Sequence, residues 1–421
     1  MLEFRVFKQS PARHLSESEI VVMTRIRISR PLVVAFGIVL LLSLANSARA
    51  DCPGGFKPAA GEPLEMLVLG DSIMWGQGLK PEQKFSWRIK CWLQEKTNRE
   101  VKQNVFAHSG ALLTAGPTVT PRFKSNDGEV NLPYPTVNEE VDRARDFYGP
   151  ASAKVNLILL DGCINDVDVS NLLNVTTDPN WLRERINTSC RLGMHDLLKR
   201  VTESFPNAQV IVPSYYRIVS DSTADNAFIR LLAKNLNNRE PEARRMTDKE
   251  LRERLIKLSE LWYRLSTADL REAVETINSE LAAKGLPRKV SFVEIDFWPE
   301  HSFSADNTLL WNFIFGSTNL SGLRKFIVIL SFGTKAYKPN DEVRESRIRS
   351  CNETFKAPKG VKETPAEKSS RKDRLLICRY ASLGHPNQMG ALVYTEAIKG
   401  QLQWIIDKAG WKRNSKDETL P

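Results

Sequence analysis

Ser72 stands in the stretch Gly70-Asp71-Ser72-Ile73-Met74-Trp75-Gly76, directly after the apolar run Met66–Leu69. A serine at a strand-to-helix turn has its hydroxyl presented at the sheet edge. Glycine permits the bend, and the N–H groups of the following helix can stabilise an oxyanion. Alone, the stretch reads equally well as a helix-capping serine beside a turn glycine. It is not the Gly-x-Ser-x-Gly elbow, because Met74 stands where the second glycine would be. A serine attacks an acyl carbon at neutral pH only when a base takes its proton, and histidine is the side chain closest to that task. Three other segments carry suitable groups. His108-Ser109-Gly110-Ala111 follows the run Val101–Ala107, and Gly162-Cys163-Ile164-Asn165-Asp166 follows Val155–Leu160. His385-Pro386-Asn387 precedes an amphipathic pattern that continues to about Ile406.

These four blocks, in this order, resemble the SGNH (GDSL) hydrolase family, which is named for a serine, a glycine, an asparagine and a histidine. The resemblance spans most of the chain beyond residue 50. It implies that Ser72 is the nucleophile and His385 its base. The Ser72 and Gly110 N–H groups and the Asn165 amide would be the oxyanion donors, each typically worth about 3–4 kcal/mol in the transition state. It also implies an α/β fold, a flavodoxin-like three-layer sandwich around a five-stranded parallel sheet. The reaction would be hydrolysis of a carboxylic ester (lipid, small ester or O-acetyl sugar) through an acyl-enzyme, with no metal and no organic cofactor. Two alternatives fit the same scaffold: an O-acyltransferase acting on a polysaccharide, and a non-catalytic binding protein on a decayed hydrolase.

The blocks depart from the family pattern in two places. Two residues rather than one separate Gly162 from Asn165-Asp166. Ser382 stands three residues before His385, where the family usually has Asp. The Nδ1–H of His385 then needs another acceptor: the Ser382 hydroxyl, a carbonyl in the Ser382–Gly384 turn, or a carboxylate from a distant loop. No distant carboxylate is nominated by the sequence, so the expectation is a backbone carbonyl and a Ser72–His385 dyad. Asp71, Asp161 and Asp166 at strand ends are candidate supporting groups, as is Ser382. Ser109 is the alternative nucleophile. His108, His195 and His301 are most simply structural, as are Trp75, Trp87 and Trp92. Tyr215 and Tyr216 could flank a channel or simply pack.

The elements that must position these groups are five runs: the apolar Met66–Leu69, Val155–Leu160, Ala208–Pro213 and Val290–Ile295, and the weaker Val101–Ala107. Helical patterns separate them, so the runs predict a parallel sheet with ligands at the strands' carboxyl ends. Between the fourth and fifth runs, about 222–289 form a helical insertion. Thr247 with Glu250 reads as a capping box opening a helix through Leu265, and Ser266 as the cap of a second helix that ends at Gly285 and Pro287. The expectation is a two-helix hairpin packed on the sheet, or a lid. Residues 357–374 are polar and aperiodic, and read as an exposed loop.

The 421 residues are 42% hydrophobic and 26% charged, which excludes wholesale disorder. The net charge of +10 is dilute: residues 1–50 hold seven basic and three acidic side chains, leaving +6 over the other 371. That is no signature of a nucleic-acid partner. Arg25, Arg27 and Arg30, the apolar run Leu32–Leu44 and Ala48-Arg49-Ala50 read as a signal peptide over residues 1–50, with Met23 as a possible true start. The apolar run is shorter than a membrane span, so residues 51–421 are expected as an exported, secreted or periplasmic domain without a stable span. Six cysteines follow: Cys52, Cys91, Cys163, Cys190, Cys351 and Cys378. An even number in an exported chain suggests bridges, although six allow 15 pairings. Nearest-neighbour pairing is expected, with Cys351–Cys378 bracketing the polar stretch and the other two pairs following by elimination.

Overall fold

The computed structural model describes residues 52–55, 57–58, 61–115, 123–225, 237, 240–315, 337–357, 360 and 362–411. The signal peptide expected over residues 1–50 lies outside them. Five strands form one all-parallel sheet: β1 (Leu64–Leu69), β2 (Val101–Val105), β3 (Val155–Leu160), β4 (Gln209–Pro213) and β5 (Val290–Val293). Their spatial order is β2-β1-β3-β4-β5. The chain steps one way from β1 to β2 and the other way from β1 to β3. Right-handed crossovers therefore send the connecting helices to opposite faces, and the carboxyl ends of β1 and β3 flank the reversal point. All five runs form strands: the inner strands β1, β3 and β4 are covered on both faces and largely apolar, whereas the edge strand β2 exposes Lys102 and Val105. Met66 to Leu69 and Ile158 to Leu160 are completely buried. Each such side chain contributes about 1.5–3 kcal/mol of transfer free energy.

The helices follow in chain order. α1 (Ser72–Trp75) is a single turn, ended by Gly76 at φ 77°, and α2 (Phe85–Thr97) buries Phe85, Ile89 and Leu93 at four-residue steps. α3 (Val137–Tyr148) opens with a Thr136/Glu139 capping box. α4 (Ile164–Val167) and α5 (Val169–Leu172) are single turns after β3. α6 (Pro179–Ile186) passes through a π-helical stretch, Asn187–Gly193, into α7 (Met194–Ser204). α8 (Asp248–Ala283), α9 (Arg344–Thr354), α10 (Pro365–Arg379) and α11 (Gln388–Ala409) complete the set among the described residues. α2 packs on α11, which also lies on β4 and β5, while α3 and α8 both pack on α7. The result is three layers, as expected. A short antiparallel pair, β6 (Phe313–Phe315) with β7 (Tyr337–Pro339), follows β5 and was not anticipated.

Two sequence expectations need correction. The insertion is not a hairpin: α8 is one helix of 36 residues. Ser266 is fully buried inside it, and its hydroxyl donates to the Tyr263 carbonyl at 3.3 Å rather than capping a second helix. Leu258, Trp262, Leu270 and Val274 continue one seam through it. A serine that bonds back to its own turn is tolerated mid-helix, and no Gly or Pro enforces a break. Secondly, residues 365–374 of the expected loop belong to α10. Thr364 and Glu367 form a capping box at its start. The helix is polar because most of it is exposed, which is why apolar periodicity does not reveal it.

The three disulfides are Cys52–Cys91, Cys163–Cys190 and Cys351–Cys378, the nearest-neighbour scheme. The last joins α9 to α10 inside a small separate apolar cluster with Val130, Leu132 and Phe355. No helix among the described residues is long and apolar enough to cross a membrane.

Candidate active site

Gly70 brings β1 to an end at φ 138°, and a Cβ there would lie 2.0 Å from Asp161 Oδ1. Only glycine allows the chain to pass so close to β3. Three buried carboxyl groups receive this turn. Glu140 accepts from the Gly70 N–H at 2.7 Å, Asp161 from the Asp71 N–H at 2.8 Å, and Asp71 from the Ile73 N–H at 2.8 Å. Asp71 also accepts from the Tyr215 hydroxyl at 2.8 Å. Burial pushes Asp71 up to about 6 and both Asp161 and Glu140 well above the usual carboxylate range. The strand-end aspartates therefore hold the turn that carries Ser72, at the first position of α1. The helix that follows Ser72 is a single turn, so the N-terminal N–H groups it offers an oxyanion are those of a very short helix.

The Ser72 Oγ lies 2.7 Å from His385 Nε2, 313 positions away in the chain. His385 Nδ1 faces the Leu383 carbonyl oxygen at 3.3 Å. The Ser382 hydroxyl points elsewhere: it donates to Asp341 at 2.7 Å. Of the three acceptors open to Nδ1, the structure thus places the backbone carbonyl there. A distant carboxylate that the sequence did not nominate, Asp341, reaches this turn through Ser382. Residues 309–311 clamp the base turn, with Trp311 N–H donating to the His385 carbonyl at 2.7 Å and Gly384 N–H to the Trp311 carbonyl at 3.0 Å. The Tyr216 hydroxyl donates to the Gly384 carbonyl at 2.7 Å. Desolvation pushes His385 down to about 4, only partly opposed by the Leu383 carbonyl. Its imidazole is neutral at pH 7, so Nε2 can accept a proton.

Blocks two and three meet beside this pair. The Asn165 amide nitrogen donates to the Ala111 carbonyl at 2.9 Å, which turns it toward the Gly110 loop. Gly110 has φ 82°, and a Cβ on it would meet Asn131 Oδ1 at 2.0 Å. Asp166 accepts from the Leu113 N–H at 3.0 Å and so ties the two loops together, while burial pushes it up to about 6. Among the described residues, neither the Ser72 nor the Gly110 N–H has an acceptor in the chain. Gly162 at φ 159° and Cys163 at φ 101° make the bend into α4, which absorbs the extra residue in this block.

The other candidates fall into structural places. His108 is buried with Nδ1 2.9 Å from the Ser109 carbonyl, and Ser109 is itself buried. His195 meets Glu280 on α8 at 2.7 Å, and His301 accepts from the Trp298 N–H at 3.1 Å. Tyr215 and Tyr216 brace opposite halves of the site, one at Asp71 and the other at Gly384, and their position just after β4 was the available clue. Glu129, Asp341 and Arg347 also surround the site, and nothing local in the sequence singles them out. The described residues contain no His/Cys/Asp/Glu group suited to a metal ion.

No family model matches the sequence, and no curated protein does. Among solved structures, the chain is similar to a lipase from a goat rumen metagenome, at 17% identity over 55% of this chain and 80% of that one, TM-score 0.33. It is similar to phospholipase A1 from Streptomyces albidoflavus, at 13% identity over 64% and 99%, TM-score 0.34. An acetyl xylan esterase from Butyrivibrio proteoclasticus shares 17% identity over 57% and 56%, TM-score 0.25. At these identities and TM-scores, the reaction has to be argued from this chain's own groups.

Proposed function

We propose that the chain hydrolyses a carboxylic ester through a Ser72–His385 dyad. The 2.7 Å contact between Ser72 Oγ and His385 Nε2 carries the reading. In the forward step Nε2 takes the serine proton as Oγ bonds to the acyl carbon, and the carbonyl π electrons move onto oxygen. The Ser72 and Gly110 N–H groups and the Asn165 amide receive that oxyanion. Collapse of the intermediate breaks the bond to the alcohol, which leaves with the proton from Nε2. Water then repeats the sequence on the acyl-serine and releases the acid. The Leu383 carbonyl keeps the remaining proton on Nδ1, so that the nitrogen facing Ser72 is the one with a free lone pair. Three disulfides support a working place outside the cytoplasm.

The test is turnover of a short p-nitrophenyl ester by Ser72→Ala. Activity should vanish while the thermal midpoint stays within a few degrees, because a single hydroxyl in a turn adds little stability. Turnover above about a hundredth of wild type would place the nucleophile elsewhere, with Ser109 next in line.

A further inference from the structure

A buried chain of charges joins the two halves of this site. On the nucleophile side, Glu129 accepts from the Trp75 indole at 2.8 Å, the Gln77 amide at 2.6 Å and the Gly78 N–H at 2.8 Å. These three donors lie on α1 and the turn that closes it. On the base side, Asp341 accepts from Ser382, three residues before His385. Arg347 connects the two. Its terminal nitrogens each donate to Asp341 at 2.7 Å, and one lies 3.3 Å from Glu129. Glu129, Asp341, Arg347 and Ser382 are all buried, Arg347 and Ser382 completely. The Cys351–Cys378 bridge, one turn beyond Arg347, fixes α9 to the helix that leads into Ser382.

Buried charges are costly and a packed apolar cluster is often the more stable choice, so stability alone does not account for this arrangement. Its distinctive feature is a negative charge just behind the turn that carries the base. A base histidine gains a proton during acyl transfer, and the resulting imidazolium is stabilised by a nearby carboxylate. Arg347, left alone, would oppose that charge. We infer that Asp341 is a displaced acid of the site, a positioning residue that pins the His385 turn through Ser382 and offsets Arg347 as the imidazolium forms. The inference rests on the Ser72–His385 reading.

The test uses the full chain and p-nitrophenyl acetate. Asp341→Asn keeps an oxygen for Ser382 but removes the charge. Its kcat should fall by at least about tenfold with KM within about twofold. Adding Ser382→Asp to Asp341→Asn should recover most of that loss, since it restores a carboxylate three residues before His385. A purely structural role would lower the unfolding midpoint, leave kcat of the folded protein within about threefold and give no recovery, which overturns the inference. Should Asp341→Asn fail to fold, Arg347→Gln alone leaves the Asp341 charge unopposed behind the base turn. The acid limb of kcat/KM in that variant should move up by at least about half a pH unit as the imidazolium gains stability, and an unmoved acid limb overturns the inference. Wild-type turnover that survives Ser72→Ala removes the dyad reading itself. Turnover that needs Ser72 but ignores Asp341→Asn removes this inference alone.

Discussion

At the scale of residues, the site depends on which proton sits where. His385, held down to about 4 by desolvation, works only when neutral. The acid limb of kcat/KM should therefore have its midpoint near pH 4, with activity lost as pH falls and a plateau through neutrality. An acid limb centred nearer the ordinary histidine value would show an imidazole that is solvated or paired directly with a carboxylate. The Leu383 carbonyl survives substitution of its neighbours, so Ser382→Ala should lower kcat by less than about tenfold, whereas His385→Ala removes nearly all activity. A hundredfold loss in a well-folded Ser382→Ala variant would make the hydroxyl the orienting group. Ser72, Gly110, Asn165 and His385 were legible because each sits in a short block whose place after a strand or before a helix can be read locally. Asp341, Arg347 and Glu129 were not. Arg347 meets Glu129 across 218 positions, and pairing at that distance leaves no local pattern.

At the scale of elements, the strands were legible and the insertion was misread. Leu157–Leu160 is buried on both faces and writes that fact as an unbroken apolar run. Ser266 carries no such mark, since serine caps helices and also sits inside them with its hydroxyl bonded back to the preceding turn. The two readings of α8 differ measurably at Thr267. In the continuous helix, proline there removes a hydrogen bond and clashes with the preceding turn, so Thr267→Pro should cost about 3 kcal/mol or more in denaturant unfolding. At the first position of a second helix it would be tolerated, and a near-neutral result would restore the hairpin. The Cys351–Cys378 bridge closes a loop of sequence separation 27, worth about 3.5 kcal/mol on the chain-entropy account. Replacing both cysteines by serine should lower stability by about that amount. An unchanged unfolding curve would show that the apolar cluster around the bridge suffices without it.

At the scale of the whole molecule, the reversal of strand order between β1 and β3 gathers residues 72, 110, 165 and 385 at one end of the parallel sheet. The same end concentrates buried carboxyl groups, and that has a consequence for stability. Asp161 and Glu140 hold protons more tightly folded than unfolded, through burial first. Their contribution is full below the unfolded values of 3.8 and 4.5 and declines as pH rises through the folded ones. Unfolding free energy should accordingly drop as pH rises above those unfolded values, and Glu140→Gln, which keeps an acceptor for Gly70, should flatten that drop. An identical pH slope in the variant would mean that Glu140 is ionised in the folded protein. The account as a whole stands on Ser72 being an activated nucleophile, and the most direct measurement is the intact mass of the chain after exposure to a fluorophosphonate. The dyad predicts one covalent adduct per chain, carried on the peptide containing Ser72 and absent from Ser72→Ala. No adduct on a folded chain, or an adduct that persists in Ser72→Ala, would contradict it.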